Sequence, residues 1–357
     1  MNKKHVRFKD IPQFRNIIRN VINQSQFVEL DENGEAIFDR DAKKPIVTFT
    51  GTVKLHGTNA AVCTNGEEIW CQSRERILST EKDNQGFHQF FLNKKESFKK
   101  LLNIVEEDIR LDDYIISIFG EFCGQGIQSG VSISILPKMF VIFAVKISLD
   151  NKASYYTQHS NLEDPDNQIY NISNFQHYFV DINFNHPEIA QNKFVELVSQ
   201  VEKECPVGKA LGVIKNEDDT NTNNKTNTVG EGIVWIGYYK GVRHIFKTKG
   251  KKHSTSKTKT IAPVDIEKVA SIMEFVEYAV TENRMQQAIQ ELFTSQGIEP
   301  SVRQMGDFLK WMNHDIAKEE TDVLGENNLI LKDVNKSVSK KASNWFLTFL
   351  DKSVGLN

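Results

Sequence analysis

The chain has 357 residues, of which 39% are hydrophobic and 25% charged, with 44 Lys and Arg against 47 Asp and Glu for a formal net charge of −3. That length supports a sizeable core and two domains more readily than one, and the composition is that of an ordinary soluble globular protein. It excludes a membrane-helix bundle, and four cysteines without a C-x-x-C pair exclude both a zinc ribbon and a secreted disulfide scaffold.

The first seven residues are basic, but no apolar run of signal-peptide length follows them, so a cytoplasmic location is expected, or the host cytoplasm for a viral chain. Residues 11–22 form an amphipathic stretch and 31–35 a polar turn, both assigned to the first domain. A β-branched run at 45–53 leads into Lys54-Leu55-His56-Gly57-Thr58-Asn59 and then Ala60-Ala61-Val62-Cys63, which reads as strand, tight turn, strand. A lysine closing an apolar strand before a glycine turn can act as a nucleophile, and a solvated hairpin lysine has the same local pattern. Strands are predicted at 68–72, 114–122, 139–148, 232–239 and 242–248, and helices at 87–105 and 187–204, where apolar residues recur at helical spacing. The stretch 216–228 has no apolar side chain and predicts a mobile loop before Glu231, either a lid or a neutral insertion.

Residues 231–260 carry Lys240, Arg243, Lys247, Lys249, Lys251, Lys252, Lys257 and Lys259 against one acid, Glu231. Such a block attracts phosphates, although a solvated lysine run has the same composition. Beyond Pro263 the pattern turns helical. Asp265 and Thr281 are placed to cap helices, and Phe308, Trp311, Trp345 and Phe349 supply apolar faces. The expected domains are therefore 1–262 and 263–357.

Six ordered segments between about residues 45 and 260 resemble the covalent nucleotidyltransferases, and among them the RNA ligase 2 family. They are Lys54-x-His56-Gly57-x-Asn59, Ser73-Arg74-Glu75-Arg76, Phe119-Gly120-Glu121-Phe122-Cys123-Gly124, the aromatic strand 140–145, Glu231-Gly232-Ile233-Val234 and Phe246-Lys247-Thr248-Lys249. His56 stands where DNA ligases and capping enzymes usually carry Asp, which favours RNA ligase. The resemblance implies an α+β fold, with an antiparallel-sheet nucleotidyltransferase domain (ATP-grasp-like ligase) followed by a small helical domain that engages RNA.

It also implies an ATP-dependent RNA ligase sealing 3′-hydroxyl and 5′-phosphate ends through lysyl-AMP and AppRNA, with Mg²⁺ or Mn²⁺. Lys54 would carry the AMP, a covalent device that divides one difficult step into easier ones. His56 and Asn59 would assist at the phosphate, Arg74 would grip it, and Lys247 and Lys249 would neutralise the triphosphate. Glu121 would accept the ribose hydroxyls, Phe143 and Val234 would hold the adenine from its two sides, and Glu231 would support the metal. Arg76, two residues from Arg74 and on the same face if the strand continues, competes with it for the phosphate role. The family's Phe-Asp pair reads Phe143-Ala144 here, and a shifted match places Lys146 at the acidic position. Nicked duplex RNA or an RNA/DNA hybrid is the expected substrate, with the chain acting as a monomer and away from membranes. A DNA ligase, a GTP-using capping enzyme and a non-catalytic nucleic-acid-binding module are the alternatives.

Overall fold

A computed structural model describes residues 2–107, 109, 113–149, 153–157, 159–213, 228–250 and 265–354. The polar stretch at 216–227 lies outside them, as do Lys251, Lys252, Lys257 and Lys259 of the basic block. In chain order the elements are α1 (Phe14–Gln26), β1 (Phe27–Leu30), β2 (Ala36–Phe38), β3 (Ile46–Lys54), β4 (Thr58–Thr64), β5 (Ile69–Ser73), α2 (Phe87–Asn93), α3 (Lys95–Glu106), β6 (Tyr114–Cys123) and β7 (Met139–Leu149). There follow β8 (Ser154–Thr157), β9 (Ile169–Asn171), β10 (His177–Asn183), α4 (Ala190–Lys203), α5 (Pro206–Ala210), β11 (Gly232–Tyr239) and β12 (Val242–Lys249). The chain closes with α6 (Ile266–Ala279), α7 (Glu282–Leu292), α8 (Met305–Glu319), α9 (Thr321–Glu326) and α10 (Leu331–Val354). This is the α+β architecture expected, antiparallel sheets followed by helices.

The chain divides into two compact units, Met1–Ile22 with Lys44–Ala262, and Asn23–Lys43 with Pro263–Asn357. Residues 23–43, assigned from sequence to the first domain, thus group with the C-terminal helices. Neighbourhood along the chain misled there, because packing is decided by which surfaces meet: Arg40, for example, pairs with Asp351 at 3.7 Å.

The first unit holds two sheets. One runs β10-β3-β11-β12 and the other β5-β4-β6-β7-β8, with β9 added parallel to β7; the remaining pairings are antiparallel. Strand alternation gives each sheet two chemically different faces. On β3, Val47, Phe49 and Val53 join Trp235, Phe246 and the α4 residues Phe194, Leu197 and Val201 in one buried cluster. Thr52 and Lys54 point to the opposite face and line a cavity. The second sheet buries Val62, Ile116, Ile118 and Phe140 against Phe87, Phe91, Phe98 and Leu102 of the α2–α3 pair.

Two local expectations need correction. The frame around Lys54 is not a hairpin: β3 pairs with β10 and β11, whereas β4 pairs with β5 and β6, so residues 55–57 carry the chain from one sheet to the other. The helix expected at 87–105 is broken at Lys94, whose φ is −122°. The break lets Phe87 and Phe98 both reach Phe140, with ring centroids 5.2 and 5.6 Å away.

In the second unit, Asp265 accepts from the Lys268 amide and Thr281 from the Arg284 amide, so both predicted caps are formed. Phe275, Phe308, Met312 and Phe346 form its core. Among the described residues no helix is long and apolar enough to cross a membrane. All four cysteines are buried free thiols, and burial pushes those of Cys63 and Cys71 up to about 12.

Candidate active site

The cavity between the two sheets of the first unit measures about 430 Å³ and is lined by Lys54, His56, Asn59, Arg74, Glu121, Phe143, Glu231, Val234, Lys247 and Lys249. Ten of the residues singled out from sequence therefore reach one space, while the competing candidates Arg76 and Lys146 do not. The register explains how. Gly232 lies opposite both Lys54 on β3 and Lys249 on β12, and Val234 opposite both Thr52 and Lys247. Two rows across three strands thus set cations on either side of the Glu231-Gly232 step.

Glu231 is the electrostatic centre. Only 2% of its side chain is exposed, yet it accepts from Lys54 Nζ at 2.6 Å and from Lys249 Nζ at 2.7 Å, with His56 Nδ1 at 3.5 Å. Burial pushes its carboxyl up, but the charges and hydrogen bonds of Lys54 and Lys249 outweigh burial and hold it below the usual carboxylate range. The backbone before it is anchored to α4, since the Gly230 amide donates to the Val201 carbonyl at 2.9 Å. Lys247 has its ammonium pushed down by burial and by repulsion from Lys249 and Lys54.

Glu121 sits opposite Asn59 on the neighbouring strand and accepts the Gly57 amide at 2.9 Å. Burial is the main cause of its carboxyl rising to about 7; Lys54 and the Gly57 amide oppose that rise and Glu231 adds to it. Gly57 is required by close approach, because a Cβ there would lie 2.3 Å from the Phe122 carbonyl oxygen. Gly232 is constrained likewise, with the Thr248 carbonyl oxygen 2.2 Å from a Cβ.

Phe143 owes its direction to an irregularity. Phe119 pairs with Ala144 and Gly120 with Ile142, so Phe143 is the extra residue of a β-bulge. Its ring meets Phe8 edge-on, with centroids 5.2 Å apart. Lys146, the shifted candidate, lies off the cavity with Nζ 3.4 Å from the Arg7 carbonyl. Arg74 and Arg76 do not share a strand face: β5 ends at Ser73, and the Ser73 amide bonds the Arg76 carbonyl across a turn. Arg74 lines the cavity and is held by Asp10, whereas Arg76 reaches the Asp83 carbonyl at 3.4 Å.

Sequence reasoning missed part of the wall. Phe8, Asp10 and Ile11 line the cavity through a segment that Gln72 clasps, its side chain accepting the Val6 amide at 3.0 Å and donating to the Val6 carbonyl at 2.6 Å. A contact across 66 residues leaves no periodic signal. Ile245 and Arg243 also line the cavity, and these were available from alternation, two and four residues before Lys247.

The donor set fits a divalent cation that arrives with phosphates. Mg²⁺ keeps several waters and takes one or two carboxylates rather than a protein cage. Glu231 is such a carboxylate, and among the described residues no cluster of three or more His, Cys, Asp or Glu is arranged to hold a metal.

Two antiparallel sheets enclosing a nucleotide-sized cavity, with a lysine at the exit of one of them, have the layout of a nucleotidyltransferase domain. The family model for RNA ligase matches residues 47–249, more than half of the chain, and the chain belongs to that family. No curated protein matches it. Among solved structures it is similar to a Naegleria gruberi RNA ligase with pyrophosphate, at 16% identity and a TM-score of 0.39 over 70% of this chain and 57% of that one. A mutant of the same enzyme with ATP and Mn gives 17%, 0.41, 70% and 58%, and another with AMP and Mn gives 15%, 0.39, 69% and 56%. The chain thus spans less than three fifths of the length of these solved chains.

Proposed function

We propose that the chain is an ATP-dependent RNA ligase that joins a 3′-hydroxyl to a 5′-phosphate, preferably at nicks in duplex RNA or an RNA/DNA hybrid. The observation that carries this reading is convergence: ten residues from segments up to 195 positions apart line one cavity, with Lys54 against Glu231. A binding module has no need of that lysine.

Lys54 Nζ attacks the α-phosphorus of ATP. A P–N bond forms as the bond to the pyrophosphate oxygen breaks, and the nitrogen sheds its proton. Lys54 must first leave Glu231, since its amine is committed to that carboxylate at 2.6 Å. Lys247, Lys249 and Arg74 stand where the triphosphate would lie and balance its charge as it develops. Glu121 accepts the ribose hydroxyls, and Phe143 and Val234 hold the adenine. Glu231 is the residue that would hold Mg²⁺ or Mn²⁺, which supplies charge neutralisation at the phosphates. The 5′-phosphate of the RNA then displaces Lys54 from AMP, a transfer assigned to His56 and Asn59, and the 3′-hydroxyl finally displaces AMP. The 2′-hydroxyl and A-form shape are what separate RNA from DNA in such a substrate.

Labelled ATP, magnesium and denaturing electrophoresis test the first step: a labelled band is expected for the native chain and none for Lys54→Ala. An unlabelled native chain, or equal labelling of the variant, overturns the proposal. GTP in place of ATP and a panel of RNA and DNA nicks then separate an RNA ligase from a capping enzyme and a DNA ligase.

A further inference from the structure

Strand β12 sets out a sequence of chemistries along one wall of the cavity. Its residues at odd positions, Lys249, Lys247, Ile245 and Arg243, all line the cavity, while His244, Phe246 and Thr248 are buried on the other face. Side chains on one face of a strand recur about every 6.8 Å, so Arg243 stands about 14 Å along the strand from Lys247. The two ends differ. At the Lys247–Lys249 end are Lys54, Glu231 and His56. Between the ends lie the apolar Ile236 and Ile245, with Val234 opposite Lys247 at the near end.

Arg243 is fastened in place. Its guanidinium lies over the Tyr156 ring, 4.5 Å from the centroid, and Tyr156 belongs to β8 of the opposite sheet. Tyr238 stands opposite it in register on β11. Tyr156 in turn meets Phe8, whose ring abuts Phe143. The guanidinium is therefore packed into the same aromatic group as the proposed adenine platform, at the end remote from the cluster around Glu231. Burial lowers its proton affinity, the direction expected for a cation held in a wall rather than in solvent.

A guanidinium offers N–H donors and no acceptor. A purine lying in the apolar stretch presents ring nitrogens, which are acceptors, along its edges. A donor fork at the far end of such a slot recognises one of them, and a planar fork stacked on a ring loses little freedom in doing so. We infer that Arg243 is a specificity-determining residue of the nucleotide site, reading a ring-nitrogen acceptor on the edge of the base. The inference rests on the proposed function and deepens it, because it assigns base selection to the chain's own β12 and not to the lysine cluster.

The test is adenylation of the full chain with ATP and with 1-deaza-, 3-deaza- and 7-deaza-ATP, each lacking one ring acceptor. Losing a hydrogen bond from a charged donor reduces use of one analogue by about tenfold or more in kcat/KM. In Arg243→Ala that analogue and ATP become equivalent, while the other two keep their native ratios. Arg243→Lys, which keeps the charge without the planar fork, serves in the same comparison should the alanine chain fail to fold. Equal use of all four nucleotides by the native chain overturns the inference, as does unchanged discrimination in the variant. Absence of any adduct with ATP instead overturns the proposed function, so the two failures are distinct.

Discussion

Replacing Glu121 by Gln should stabilise the first unit, by an amount that grows as pH rises from about 4.5 to about 7 and is constant above. The carboxyl is carried from 4.5 to about 7, chiefly by burial. With each pKa unit worth about 1.4 kcal/mol, the folded chain holds that proton more tightly than the unfolded chain by about 3 kcal/mol. Between the two values the folded state binds more protons, so the stability contributed by this group is present below 4.5 and lost as pH rises through about 7. Glu231 runs the other way, its stability being lost only as pH falls below the ordinary carboxylate range. Gln keeps the volume and an oxygen for the Gly57 amide but cannot ionise. The stability of Glu121→Gln relative to the native chain should therefore rise by about 3 kcal/mol between pH 5 and pH 8, or about 6–12 °C in midpoint for a unit of this size. Scanning calorimetry of both chains across that range measures it, with the transitions of the two units treated separately. A gap that is flat with pH, or one that closes as pH rises, refutes the reasoning.

Three further outcomes are expected. Glu231→Gln removes the charge shared by Lys54 and Lys249, which should cost about 2 kcal/mol in denaturant unfolding and suppress adduct formation. Gly57→Ala forces a Cβ against the Phe122 carbonyl oxygen, and should cost about 1–3 kcal/mol and slow adenylation by displacing the segment between Lys54 and Asn59. Asp10→Asn frees Arg74 from a solvent-exposed pair, so the KM for ATP should fall, by no more than about fivefold; a rise in KM would show that Asp10 supports the site instead.

The strands carrying the site were readable from composition because their inner positions are β-branched or aromatic. Those of β11 and β12 lie within a residue of where alternation put them. The caps at Asp265 and Thr281 were equally local, and so equally legible. By contrast, β8, β9 and β10 were not anticipated. They are short, and β10 owes its place to pairing with β3 from about 130 positions away. The bulge that turns Phe143 to the cavity arises from a slip in register against β6, which no pattern within β7 reveals.

What the sequence determined by itself was the chemical inventory: a lysine at a strand end, two carboxylates, a lysine pair at alternate positions, and the order that marks the family. These are properties of residue type and short spacing, which local backbone geometry translates directly. Tertiary structure decided the connections between them. It sent β3 and β4 into different sheets, placed Glu231 between Lys54 and Lys249, enlisted Phe8 and Asp10 as a wall, and set Arg243 at the far end of the cavity. Those outcomes depend on free energies of burial and pairing between segments distant in the chain, and such pairings leave no mark on either segment alone.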